Sequence, residues 1–140
     1  MALTAYIDAS VLLRLILGEP DKLIEWNAIE TAVTSALTEV ECLRSIDRAV
    51  ARGRATAASA AQRRAAVFDL MQDMRVVEIN RALLARASEP FPTPLGTLDA
   101  IHLSTALMWR EQEQTDLVMA THDAELALAA RSLGFTVVGG

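Results

Sequence analysis

Asp8, Glu41, Asp99 and Asp123 are the residues whose type and placement best suit this chain for chemistry. They are spread over almost its whole length, yet each falls where the sequence pattern ends a strand, starts a helix or turns a helix inward. Gathered by folding, four carboxylates repel one another unless a cation lies among them. Hard divalent ions such as Mg²⁺ or Mn²⁺ are the cations that prefer such an all-oxygen set.

Each acid also has a plainer use. Asp8 stands in Tyr6-Ile7-Asp8-Ala9-Ser10, where Ser10 can orient a carboxylate or a bound water, but an Asp before a helix also serves as an N-cap. Glu41 shares a helix face with Arg44 and Ser45, the arrangement of a solvated, salt-bridged surface. Glu39, two residues away, points to nearly the opposite side, and periodicity does not choose between the two glutamates. Asp99 lies in a first helical turn, where the helix dipole favours negative charge. His102 is on the same face and either assists the site or bonds to a neighbour. Asp123 can cap the helix that follows it, and His122 beside it is expected at the surface or just behind the site. Asp116, at the front of its strand, belongs to the wrong end of the sheet.

These positions depend on the elements around them. Leu3–Ile7 reads as a strand ending at Asp8, and residues 10–17 as a short apolar helix stopped by Gly18 and Pro20. A second strand spans 31–34, and Ser35 caps a long helix to about Arg52, ended by Gly53. Residues 56–74 form the other arm of a helical hairpin. A strand over 75–79 and a helix over 81–88 follow, and then three prolines within 89–96 force an extended loop. A helix from Thr97 to about Arg110, a strand at 117–120, a helix at 124–133 closed by Gly134, and a strand at 135–138 complete the chain. Strands alternating with helices imply parallel βαβ units, with a sheet covered on both faces. In such sheets the functional crevice lies beyond the carboxyl ends of the strands, where Asp8 and Asp123 fall.

With 140 residues, 52% of them hydrophobic, the chain has the material for one domain, residues 1–140, built on one core. Asp8 and Arg14 interrupt the apolar opening and no small-residue cleavage site follows, so a signal peptide is not expected, nor is a membrane span. The lone cysteine, Cys42, cannot build a disulfide framework and fits a small core residue in a reducing cytoplasm. The net charge of −5 argues against general charge-driven binding to nucleic acid. Within residues 44–64, however, six arginines face Asp47 alone, a local surplus of +5. Arg44, Arg48 and Arg52 recur every fourth residue, so they form one ridge on the helix of Glu41, able to follow a phosphate backbone or simply to keep that face soluble. No aromatic residue interleaves with them, so base stacking is not supported. Trp26 and Trp109 are expected in the core or at a subunit interface.

Taken in order, four stretches of the chain resemble the PIN-domain nucleases, in particular the VapC-type toxins of bacterial toxin–antitoxin pairs. They are Tyr-Ile-Asp-Ala-Ser-Val-Leu-Leu around Asp8, Ser35-Ala-Leu-Thr-Glu-Val-Glu41-Cys-Leu-Arg44, Leu98-Asp99-Ala-Ile-His102-Leu-Ser-Thr-Ala-Leu, and Thr121-His-Asp123 followed by Ala130-Arg-Ser-Leu-Gly134-Phe. The resemblance implies a three-layer α/β/α fold with a central parallel sheet. It implies an RNA-cleaving site holding Mg²⁺ or Mn²⁺ among Asp8, Glu41, Asp99 and Asp123, with Ser10 in support and Glu39 a bystander. By the same resemblance the RNA products carry 5′-phosphate and 3′-hydroxyl ends, the protein is a homodimer, and a cognate VapB-type antitoxin lays its C-terminal tail across the groove, placing a basic side chain among the acids.

Other phosphoryl-transfer chemistries on this topology fit less well. A response-regulator receiver needs a lysine near the end of the sheet, and the only lysine is Lys22. A haloacid-dehalogenase-type phosphatase uses Asp-x-Asp after its first strand, where this chain has Asp8-Ala9-Ser10. The alternative from another class is a catalytically silent PIN-fold module that binds RNA or a protein, since a fold does not fix function.

Overall fold

The apolar runs and their helical partners assemble as parallel βαβ units. In the computed structural model, which describes residues 2–140, β1 (Leu3–Ile7), β2 (Ile29–Ser35), β3 (Arg75–Val77), β4 (Val118–Ala120) and β5 (Val137–Val138) form one parallel sheet in the order β3-β2-β1-β4-β5. The described helices are α1 (Ala9–Leu17), α2 (Ala36–Ala51), α3 (Ala57–Gln72), α4 (Arg81–Ala87), α5 (Thr97–Glu113) and α6 (Ala124–Ser132).

The weak alternation in β1 has a simple cause. Ala5 and Ile7 pack with α1, α2 and α3 on one face, and Tyr6 packs with α5 and α6 on the other, so all three are fully buried. A strand covered on both faces has no polar side to display. Trp26 and Trp109 are partly buried against these two clusters, respectively.

Local chemistry sets the element ends. The Ser35 side chain accepts from Leu37 N at the start of α2, and a capping box of Thr56 and Ser59 opens α3. Gly18 and Gly53 take the left-handed conformation that closes α1 and α2, at φ 66° and 68°. Several strands differ from the sequence reading: β3 is shorter, because residues 78–79 lie beyond the end of β2 at Ser35, β5 is limited to Val137–Val138, and β2 is longer at both ends. A 3-10 helix at Ile24–Ala28 was not anticipated, since it shows no periodicity of its own. No described helix is long and apolar enough to cross a membrane.

β1 lies between β2 and β4, so the chain leaves it in opposite directions on its two sides. The crevice of a doubly wound sheet opens at that reversal.

Candidate functional site at the carboxyl edge of the sheet

β1 delivers Asp8 and β4 delivers Thr121 to the reversal point, and a cavity of about 370 Å³ opens there. Asp8, Glu41, Asp99 and Asp123 all line it, together with Ser10, Arg44 and Arg48. Glu39 and Asp116 do not, and Asp116 is exposed at the front of β4 as expected. Of the two glutamates that helix periodicity left open, Glu41 lines this cavity and Glu39 does not. Residues from the first turns of α1, α2 and α5 and the cap of α6 share the wall. Four helix amino ends therefore offset part of the negative charge.

Asp8 occupies the N-cap position of α1, but its carboxylate turns the other way. Oδ2 accepts from Ser10 Oγ at 2.7 Å and from Thr121 Oγ1 at 2.8 Å, leaving a largely buried carboxylate held by two hydroxyls. Ser10 Oγ also accepts from His122 N at 2.9 Å, and Thr121 Oγ1 accepts from Asp123 N at 3.0 Å. Ser10, expected to support the site, thus contacts the Asp8 carboxylate directly. Thr121 is a second such hydroxyl, signalled in sequence only as part of Thr121-His-Asp123. Asp123 does cap α6, its Oδ1 accepting from Leu126 N at 2.9 Å, while still facing the cavity. His122 sits behind the site, its Nδ1 2.9 Å from Gly139 O.

Glu41 is placed by a ladder of Thr34, Thr38 and Glu41, at spacings of four and three residues. Thr34, at the end of β2, donates to Ile7 O at 2.7 Å and lies 2.8 Å from the Thr38 hydroxyl, which ties α2 to the end of β1. One turn after Thr38, Glu41 enters the cavity, and its Oε1 lies 2.5 Å from His102 Nε2. A carboxylate only accepts, so the proton of this contact is carried by Nε2. On the other side of the ring, Nδ1 meets the Tyr6 hydroxyl at 2.6 Å. His102 is fully buried and also lies 3.5 Å from Asp8 Oδ1.

The electrostatics follow from this crowding. Burial, then the charges of Asp123 and Asp8, push the Asp99 carboxyl up to about 6 despite His102. Burial pulls the His102 imidazole down, but the Glu41 hydrogen bond and the charges of Asp8, Glu41 and Asp99 outweigh it, so its pKa rises above the ordinary 6.5. His102 thus sits inside the acid cluster, where the surrounding carboxylates favour its protonated form. Burial and the neighbouring carboxylates push the Cys42 thiol up to about 12, consistent with a core residue and not a nucleophile.

The matched family model is the PIN domain, over residues 5–132. The chain belongs to the PIN-domain family. Among PIN relatives, it is 33% identical over 138 residues to Ribonuclease VapC46 of Mycobacterium tuberculosis, covering 95% of each chain. The PIN fold is also shared with a toxin–antitoxin complex from Klebsiella pneumoniae (TM-score 0.63, 17% identity, 98% of each chain). It is shared again with Mycobacterium tuberculosis VapC20, a sarcin–ricin-loop-cleaving toxin (TM-score 0.63, 15% identity, 95% of this chain and 97% of that one).

The donor set suits a hard cation: the wall presents four carboxylates, and burial together with the charges of Asp123 and Asp8 disfavours an ionised Asp99, a cost that a dication offsets. Among the described residues, however, no three acidic, imidazole or thiol groups stand as a ready chelate. Glu41 is engaged by His102 and Asp123 by its helix cap.

The arginine ridge differs from the single line expected. Arg44 is drawn to Asp47 at 3.0 Å, and Arg48 donates to Ser45 Oγ at 3.1 Å. Arg52 falls outside the acidic cavity. Another concavity, about 680 Å³ against the proline-rich segment, has Glu89 as its one ionisable lining group. It lies away from this chemistry.

Proposed function

We propose that this chain is a VapC-type endoribonuclease, the toxin of a toxin–antitoxin pair, that hydrolyses RNA phosphodiester bonds with Mg²⁺ or Mn²⁺. The observation that carries the reading is the convergence of Asp8, Glu41, Asp99 and Asp123 on one cavity at the sheet reversal, with Asp99 pushed up to about 6 by burial and then by its acidic neighbours. Those four residues would hold the ion, which when bound supplies activation of water and charge stabilisation at the phosphate.

The rest of the work falls to the chain itself. Ser10 and Thr121 fix the Asp8 carboxylate, and His102 fixes Glu41, so the acids are oriented before substrate arrives. Arg48 at the cavity wall, which has no ion-pair partner among the described residues, supplies positive charge that an RNA backbone needs to approach an acidic site, while Arg44 beside it is paired with Asp47. No protein nucleophile is required, and Ser10 hydrogen-bonds a carboxylate where a nucleophilic serine would face a base.

The same cavity suits an antitoxin segment that inserts a basic side chain among the acids. Its rim carries Val40 and Leu98, 55% and 48% exposed, which suits apolar residues on either side of that charge. A homodimer in the cytoplasm belongs to the same reading. The second reading, a silent RNA-binding or interaction module, draws support from the absence of a ready chelate among the described residues.

The test is cleavage of a mixed tRNA and ribosomal RNA pool with Mn²⁺ or Mg²⁺, beside an EDTA control and Asp99→Asn. Discrete cuts, lost in both controls, are expected. An intact pool with every metal moves the protein to the second reading.

A further inference from the structure

A second cavity, about 340 Å³, adjoins the acidic one through Ser45 and Arg48, which line both. Its wall carries four arginines from three places in the chain. Arg48 and Arg52 come from the last turns of α2, Arg54 from the turn after Gly53, and Arg63 from α3 across the hairpin. The turn itself is fixed, since Arg54 N donates to Ala49 O at 2.8 Å and Gly53 takes the left-handed conformation.

Charge pairing separates these arginines from their neighbours. Arg44 and Arg64 both lie against Asp47, at 3.0 and 3.8 Å. Among the described residues, none of Arg48, Arg52, Arg54 and Arg63 forms an ion pair, although Glu19 lies at the edge of the cavity. A helix carboxyl end by itself favours Arg48 and Arg52 there. It does not account for Arg63, brought in from a different helix, or for four arginines without an ion pair lining one cavity in a chain of net charge −5.

We infer that this second cavity is a phosphate subsite for the RNA backbone, resting on the nuclease reading and extending it. It takes phosphates a few nucleotides from the scissile bond. Along α2 the distance from Glu41 to Arg52 is about 16 Å, so the subsite is out of reach of the phosphate being cut and engages only a longer strand. Arginine forks suit backbone phosphates without reading bases, so the subsite adds affinity and direction but no sequence preference.

The experiment is equilibrium binding of fluorescein-labelled single-stranded RNA, a dodecamer and a trimer, measured by anisotropy in EDTA over a salt series. The protein is tested as wild type, Arg52→Ala with Arg63→Ala, and Arg64→Ala. Single-stranded contacts contribute about 0.7 each to the salt slope, so the double variant should lose about 1.4 of it, close to sevenfold of the affinity change between about 50 and 200 mM salt. Trimer binding should be weak and show no such difference, and Arg64→Ala should keep the wild-type slope. Mn²⁺ affinity, read separately by titration calorimetry, should match wild type in the double variant. A wild-type slope in the double variant, or an equal loss in Arg64→Ala, overturns the subsite while leaving the nuclease reading standing. Wild type that binds neither RNA and cleaves none overturns the nuclease reading itself.

Discussion

Asp99→Asn should stabilise the metal-free protein while abolishing its function. The carboxyl rises from the ordinary 3.8 to about 6 because burial and the charges of Asp123 and Asp8 disfavour ionisation. At about 1.4 kcal/mol per tenfold change in proton affinity, that rise corresponds to about 3 kcal/mol of destabilisation at neutral pH. Asp99 is only half-buried, and solvent screening reduces the figure to about 1 kcal/mol. The dipole of α5 favours the charged form, but the net upward direction means that burial and repulsion win. Asn keeps the shape and removes the charge, so in EDTA the Tm should rise by about 3 °C for a domain of this size. With Mn²⁺ at about a hundred times its Kd, wild type should gain about 2.7 kcal/mol, and the variant, one carboxylate short, should gain far less. The order of stability then reverses. Differential scanning fluorimetry with and without Mn²⁺ reads both halves, and RNA cleavage reads the loss of activity. A variant less stable than wild type in EDTA refutes the repulsion argument, and one that keeps the full Mn²⁺ gain removes Asp99 from the ion site.

His102→Phe strands the Glu41 carboxylate and the buried Tyr6 hydroxyl, a loss of about 2–4 kcal/mol from two unpaired polar groups. His102→Gln retains a donor toward Glu41 and should recover part of both Tm and Mn²⁺ affinity, whereas equal defects in the two variants would reduce His102 to core filling. Ser10→Ala removes one of the two hydroxyls on Asp8 and the acceptor for His122 N, so kcat should fall more than KM changes, with about 1 kcal/mol of stability lost. An unchanged kcat would deny Ser10 its supporting role. Asp99 and His102 both have folded-state pKa values above their unfolded ones, so both bind protons more tightly when folded. Their stabilisation is full below the unfolded values and is lost as pH rises through the folded ones. In EDTA the Tm should therefore fall from about pH 4 to beyond 6.5, and Mn²⁺ should flatten that fall above pH 6. A Tm that climbs over this range in EDTA would contradict the assignment.

The sequence by itself determined the order of strands and helices, because buried parallel strands are short apolar runs and because Ser35, Thr56, Gly18 and Gly53 act on their immediate neighbours. It also singled out Asp8, Asp99 and Asp123, which stand at element ends, whereas Glu41, inside α2, was separated from Glu39 only by the family resemblance. Tertiary structure decided what those acids do. Whether Asp8 caps its helix or faces the cavity depends on Thr121, reached across more than a hundred residues. Whether Glu41 lies on a solvated face depends on His102, and His102 in turn on Tyr6. The arginine ridge looked continuous because helical periodicity records only one helix, while Asp47 neutralises one end and Arg63 arrives at the other from α3. Local patterns are written in neighbouring residues. Charge pairing and desolvation depend on groups that only folding brings within a few ångströms.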